Sequence, residues 1–382
     1  MSPSRRDFLF VALAPAIARL QPPSGGRLLA TIPFGVLGAR RAPLDQLLGS
    51  GLDARLFTDL SDLGNLQSAI GNQQSELVTP NDRFYVRTAA PDHLRPSQPP
   101  PSPPGGTEVA GIDFARLERS PGRVRVGPYL MECAGNSDPT NFGLMSVAAW
   151  TGFSMPAVIE QLGVERSGRR VLVSGEDPAG RSVTSVPGAS WIFSREQFER
   201  AVLAVQMNDA SLPIDHGGSA RLVVPGWYGC ACIKWVNQIE LVPDDAPATT
   251  QMREFAARTH QNPSARLARE FAPAVIDTAA MPVRVEKWSV GGRLEYRITG
   301  IIWGGSMPTN ALSIRFKSGG AWTRVENCPL PQSTLTWSLW THTWRPDAPG
   351  RYQIVLRVDD PAIRTRRLDL FFYVREIQIE EV

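Results

Sequence analysis

Tyr129-Leu130-Met131-Glu132-Cys133-Ala134-Gly135-Asn136, preceded by Val124-Arg125-Val126, reads as a strand that runs into a turn of small residues. A cysteine at such a junction is placed to project its sulfur into a cleft. Thiolate is a soft, strongly donating ligand for a transition metal and also a good nucleophile. The competing reading makes Cys133 a small buried hydrophobe. Its neighbours along the chain decide between the two.

Upstream, Thr79-Pro80-Asn81-Asp82 is a turn signal, and Arg83-Phe84-Tyr85-Val86-Arg87 reads as a strand. Leu44–Leu48 and Leu63–Ile70 have helix-like apolar spacing. The tract Pro99-Pro100-Pro101-Ser102-Pro103-Pro104-Gly105-Gly106 reads as a polyproline surface loop. At the start, Ser4-Arg5-Arg6-Asp7-Phe8-Leu9, the apolar run Phe8–Ile17 and Ala16-Ile17-Ala18 form a twin-arginine export signature with a cleavage site. Residues 1–25 are therefore set aside as a signal segment, and the periplasm or another exported location is expected. The apolar run is too short to span a bilayer in the folded product. The twin-arginine route carries proteins already folded, which suits a cofactor inserted before export.

Downstream, Val171–Ser174 and Arg221–Val224 read as short buried strands, and Arg195–Val205 as a helix. Residues 26–245 thus form a mixed α and β segment. Residues 246–281 are a connector with a helical patch at Gln251–Arg258. From 282 to 382 the pattern is all β. Leu294–Ile301, Ser313–Phe316, Trp337–Trp340 and Tyr352–Val358 alternate between Gly, Pro and Asp turns, at spacings that suit an immunoglobulin-like sandwich.

Composition agrees with two domains. The 382 residues are 42% hydrophobic and 20% charged, enough for a large core. A net charge of +3, with scattered arginines, excludes an electrostatic nucleic-acid footprint. Four cysteines, at 133, 230, 232 and 328, make a poor disulfide framework for this length. Cys230 and Cys232 read as reduced side chains of one strand, since no further ligand stands nearby to complete a metal site. His93, His260 and His342 show no metal-ligand spacing.

The second dense stretch is Asp215-His216-Gly217-Gly218-Ser219-Ala220-Arg221, running on to Trp227-Tyr228-Gly229. A histidine at a Gly-Gly turn and an arginine entering a strand could converge on an anion, or belong to a structural salt-bridge network. Ile233-Lys234-Trp235 adds a cation and an aromatic wall.

Together, Thr79–Arg87, Met131–Asn136 and Asp215–Trp235 resemble the sulfite oxidase family of molybdopterin enzymes over roughly residues 75–245. The C-terminal sandwich resembles that family's dimerisation domain. The resemblance implies an α+β molybdopterin-binding domain followed by an all-β immunoglobulin-like one. It implies that Cys133 is the protein thiolate on molybdenum and that Arg87 lines an oxyanion pocket. Tyr85 falls in the opening strand among the cofactor contacts. Asp177 is placed against the pterin, His216 and Arg221 at its phosphate and ring, and Cys232, Ile233 and Lys234 in the cradling segment. The second domain's resemblance implies a homodimer. The implied cofactor is molybdenum-molybdopterin; no C-x-x-C-H is present, so no haem is expected and electrons would leave to a separate carrier such as a cytochrome.

Two departures lie in the substrate pocket. The family's tyrosine falls near Phe255, which has no hydroxyl, and Arg87-Thr88-Ala89 lacks the asparagine and histidine that usually follow the arginine. The expected reaction is two-electron oxygen-atom transfer to a small sulfur oxyanion. Reduction of an S-oxide or N-oxide on the same metal, or a cofactor-free binding protein on this scaffold, remain the alternatives.

Overall fold

The computed structural model describes residues 22–35, 44, 46–63, 77–95, 109, 112–138, 142–163, 170–177, 189–317 and 319–382. The export signature at 4–18, the proline tract at 99–106 and most of the helix read at 63–70 lie outside these. Among the described residues, no helix is long and apolar enough to cross a membrane.

The strand Arg123–Glu132 pairs antiparallel with Met145–Ser154, from Arg123 opposite Phe153 to Glu132 opposite Met145. The register slips between Val126 and Tyr129, where Gly127 takes φ 100. A Cβ at Gly127 would also stand 2.9 Å from Tyr129 N, so the bulge needs glycine. Met145–Ser154 is buried along almost all its length, which is how a central strand reads. It pairs with Val202–Met207, which pairs with Arg221–Val223 and the short Ala210–Ser211. A second sheet orders Val236–Val242, Arg170–Gly175 and Ser190–Phe193, all antiparallel.

Several local expectations change here. The helix read over Arg195–Val205 stops at Glu199, and Val202–Met207 is a strand. Ser194 and Gln197 form a capping box that starts the helix, but Val202 and Val205 are β-branched and a neighbouring edge is available for pairing. The Leu44–Leu48 patch is not helical where described: Leu48 and Arg55 exchange two backbone hydrogen bonds of 2.7 Å in an antiparallel bridge. Of the strand read at Arg83–Arg87, only Val86–Arg87 pairs, with Arg55–Leu56, because Tyr85 N donates instead to Ser146 Oγ at 2.8 Å. Cys230 sits in a 3₁₀ turn, Gly229–Ala231, with Cys232 just after it; the two do not share a strand as read from the sequence.

The C-terminal half holds two four-stranded antiparallel sheets. One contains Ala279–Val290, Arg293–Trp303 and Ser338–Trp344, and the other Thr323–Arg324, Leu312–Arg315, Gly350–Val358 and Arg375–Ile379. The longest hairpin turns at Gly291-Gly292, with φ 56 and 80, the positive values a two-residue turn requires. The edge of the first sheet is Gly26–Ile32, paired from Gly26 opposite Val290 to Ile32 opposite Val285. The start of the 26–245 segment therefore lies in space with the C-terminal sheets. Both halves share one continuous buried apolar core.

Candidate active site

Cys133 follows the last residue of its strand, and its N–H donates to Leu144 O at 2.9 Å. The turn closes back on the sulfur: Gly135 N–H donates to Sγ at 3.3 Å, and Asn136 N–H donates to Cys133 O at 2.9 Å. Burial pushes the Cys133 thiol up, against Arg87, the Gly135 N–H and Arg55, which all favour the thiolate.

The sulfur opens into a solvent-connected cleft. All nine residues singled out from the sequence line it: Tyr85, Arg87, Cys133, Asp177, His216, Arg221, Cys232, Ile233 and Lys234. Phe255 lines it too. Long-range pairing assembles them. Thr79–Arg87 is pinned to the central sheet by Asn81 Nδ2 on Met207 O at 3.0 Å and by Asn208 Nδ2 on Asn81 Oδ1 at 2.8 Å. Ile233 O accepts from Leu222 N at 2.8 Å, and Val236 N donates to Ala220 O at 2.9 Å, which lays the Cys232–Trp235 segment beside the Arg221 strand. Tyr85 Oη lies so close to Gly229 that a Cβ there would stand 2.6 Å from it; only glycine lets these walls meet.

His216 is buried, and burial pulls its pKa down to about 4. Its Nε2 lies 2.8 Å from Asn81 O, an atom that can only accept, so Nε2 carries the proton and the neutral ring presents Nδ1 as an acceptor. The donor toward an anion that the sequence suggests therefore requires a proton on Nδ1, which an anion beside it would favour. Lys234 donates to Thr88 O, to Asp215 O at 3.0 Å and to Arg87 O at 3.3 Å. Burial, then the charge of Arg221, lowers its pKa to about 7. Two residues at this wall hold left-handed backbone, Thr88 at φ 75 and Trp235 at φ 48. For a β-branched residue such as Thr88 that conformation is strained.

Arg221 tests whether the cleft suits an anionic cofactor. It is 5% exposed, donates to His216 O at 3.1 Å and to Met131 Sδ at 2.6 Å, and its Nε has no partner. No ion pair to it exists among the described residues. A buried guanidinium without a carboxylate is costly, and an anion seated in the cleft would relieve that cost. Among the described residues no three His, Cys, Asp or Glu side chains gather to hold a metal. The residues present fit an anionic group seated beside the Cys133 sulfur.

The mouth of the cleft holds what sequence reading missed. Arg55 sits opposite Arg87 in their two-stranded pairing, and burial, then Arg87, lowers its pKa to about 10. Arg258 lies 5.6 Å from the Phe255 ring centroid. A Cβ at Gly135 would stand 3.3 Å from Arg258 Nη1 and 3.7 Å from Cys133 Sγ, so that guanidinium reaches the sulfur's side of the cleft. Gln251 and Cys230 join the lining, with Gln251 Nε2 donating to Cys230 O. No local signal marks Arg55 or Arg258, since each is an ordinary arginine until its segment folds over Cys133.

Residues 110–250 match the family model of the oxidoreductase molybdopterin binding domain. The chain is 26% identical to the sulfite oxidase of Gallus gallus over 319 residues, covering 74% of this chain and 66% of the relative. It is 25% identical to the mitochondrial sulfite oxidase of Homo sapiens over 270 residues, covering 60% of this chain and 48% of that one. The chain thus spans about half to two thirds of the length of these relatives. In fold it is similar to the sulfane dehydrogenase SoxCD from Paracoccus pantotrophus, with a TM-score of 0.58, 18% identity, and coverage of 90% of this chain and 91% of that one.

Proposed function

We infer, because the chain carries an oxidoreductase molybdopterin binding domain of the sulfite oxidase family, that it oxidises a small sulfur oxyanion by two-electron oxygen-atom transfer and passes the electrons to a separate carrier such as a cytochrome. Molybdopterin is the cofactor of this enzyme class; when bound, it supplies a molybdenum centre able to exchange an oxygen atom and two electrons with a substrate. Cys133 is the residue that would hold the metal. Arg221, Lys234 and a protonated His216 would hold the anionic side of the pterin, and Asp177 would face its polar ring. The remaining chemistry belongs to the mouth.

One observation carries the choice of an oxyanion: Arg55, Arg87 and Arg258 gather on the Cys133 side of the cleft. Three guanidinium groups orient an anion and offset its desolvation, and an uncharged S-oxide would gain little from them. Phe255 offers no hydroxyl, so a proton lost from the substrate goes to solvent or to another group. The test is a steady-state comparison of sulfite with a dye acceptor against uncharged S-oxides with a dye donor, alongside molybdenum per chain. Saturable sulfite oxidation that weakens as salt rises is expected. Turnover of the S-oxides alone would replace this reading with the reductive one, and metal near zero in folded protein would remove both.

Export by the twin-arginine route to the periplasm is supported by Ser4–Leu9; replacing Arg5 and Arg6 by lysine is expected to strand the protein in the cytoplasm. A homodimer joined through the C-terminal sheets, which we assign as an immunoglobulin-like pair, completes the reading. Sedimentation at a single monomer mass would remove the dimer.

A further inference from the structure

Cys133 lies at the end of a strand whose two faces meet different partners. Side chains alternate along β structure, so Met131 and Cys133 share the cleft side, where Met131 Sδ accepts from Arg221, and Glu132 points the other way. Glu132 is 0% exposed. Its Oε1 accepts from Arg366 Nη1 at 2.7 Å and its Oε2 from Arg366 Nη2 at 2.8 Å, a bidentate fork. Oε2 also accepts from Trp303 Nε1 at 2.9 Å. Both partners come from the C-terminal half of the chain. Arg366 is itself fixed, its backbone N–H on Thr278 O at 3.0 Å and its Nη1 on Tyr373 Oη at 2.9 Å.

The same guanidinium reaches the opposite wall. Its Cζ lies 5.3 Å from the centroid of Tyr228, the residue that opens the Gly229–Ala231 turn bearing Cys230 and leading to Cys232. One charged group from the C-terminal half therefore touches the roots of both walls. Stability is a poor reason for this arrangement, because a buried ion pair is often matched or bettered by well-packed apolar side chains. What a bidentate pair adds is a defined geometry.

We propose that the Arg366–Glu132 pair is a positioning device by which the C-terminal sheets set where Cys133 Sγ stands relative to the Gly229–Cys232 wall. The inference rests on Cys133 as the residue that holds the metal, but the pair's effect on the sulfur can be measured without any metal.

In the cofactor-free full-length protein, the alkylation rate of Cys133 by iodoacetamide is read by peptide mass spectrometry, which separates it from Cys230, Cys232 and Cys328. Glu132→Gln and Arg366→Met are each expected to raise that rate about 10-fold, with Arg366→Lys intermediate because it keeps the charge and loses the fork. The double variant Glu132→Gln/Arg366→Met leaves no unpaired buried charge. It is expected to regain the wild-type melting temperature while keeping the raised rate, and it decides the matter if a single variant fails to fold. In the molybdenum-loaded protein the same variants are expected to shift the electron paramagnetic resonance parameters of the reduced metal and to lower kcat about 10–100-fold at unchanged KM. A double variant with wild-type alkylation and wild-type spectrum overturns the proposal. So does an alkylation rate that follows melting temperature across all variants, because that pattern reports general loosening. Metal near zero in wild-type protein, with the double variant still raising the rate, would overturn the proposed function and leave the positioning intact.

Discussion

The floor and the mouth of the cleft are both rich in cations but hold them differently. On the floor, Arg221 and Lys234 donate to carbonyl groups and a thioether, without a carboxylate ion pair among the described residues. At the mouth, Arg55 and Arg87 lie side by side in a pairing of two residues each, and Arg258 leans over Phe255. The floor sets Arg221 on the central sheet with the Lys234 segment hydrogen-bonded beside it, and suits one permanent anionic occupant. The mouth is assembled from three distant segments and suits an anion that comes and goes. Pre-organised charge in a buried site binds tightly, whereas half-exposed charge steers and orients.

Predictions that would break this contrast run from large effects to small. Cys133→Ser is expected to abolish turnover, a loss beyond the ~10–100-fold typical of changes outside the ligand shell, because a hydroxyl is a much harder ligand than a thiolate. Wild-type rates in that variant would remove the floor as the reaction centre. Arg221→Met is expected to separate holding a cofactor from holding the fold. Cofactor content should fall sharply, while the cofactor-free protein gains about 1–3 kcal/mol, visible in urea unfolding, as a buried charge is removed. Loss of stability in the cofactor-free state would mean that Arg221 already has what it needs. Arg258→Gln tests the mouth: KM for an oxyanion is expected to rise about 10-fold with molybdenum content unchanged, the worth of one charged hydrogen bond. A drop in metal content would place Arg258 with the floor.

Acidity offers a gentler probe. The folded pKa of His216 is about 4, against an unfolded value near the ordinary 6.5. Between those values the unfolded state binds more protons, so the cofactor-free protein gains stability as pH rises from about 4 to 6.5 and loses it on the way down. His216→Gln keeps a donor for Asn81 O and is expected to flatten that part of the pH profile of the melting temperature. An unchanged slope would show that the histidine is not the titrating group. The smallest effect belongs to Thr88→Gly. Releasing φ 75 returns part of a strain of ~1–3 kcal/mol, less ~0.5–1 kcal/mol of glycine entropy, and a slightly higher melting temperature is expected. A fall would show that Thr88 Oγ1 on Leu52 O, at 3.4 Å, matters more than the strain.

Some residues could be read from sequence and others could not, for a common reason. Cys133, His216, Arg221 and Lys234 stand in short stretches where turn glycines and strand residues announce their own geometry, so local chemistry marks them. Arg55 and Arg258 carry no such mark, and each joins the site only because a distant segment folds over Cys133. Glu132 was in plain view beside the cysteine, yet its role depends on Arg366, more than two hundred residues away. Secondary structure failed in the same manner. Val202–Met207 continued a helical pattern until a neighbouring strand edge claimed it, and Gly26–Ile32 gave no hint that it closes the C-terminal sheet.

Local pattern was enough for the strand-to-turn setting of Cys133, the turn before Arg221 and the β-rich second half, because these follow from period and turn chemistry within a few residues, whereas the kind of group the cleft would hold came from the family resemblance. Long-range pairing settled the rest: which arginines surround the sulfur, which protonation state His216 adopts, and the fork from Arg366 that grips the residue before Cys133. Those depend on burial and on partners far away in the chain, and neither has a signature in the amino acids nearby.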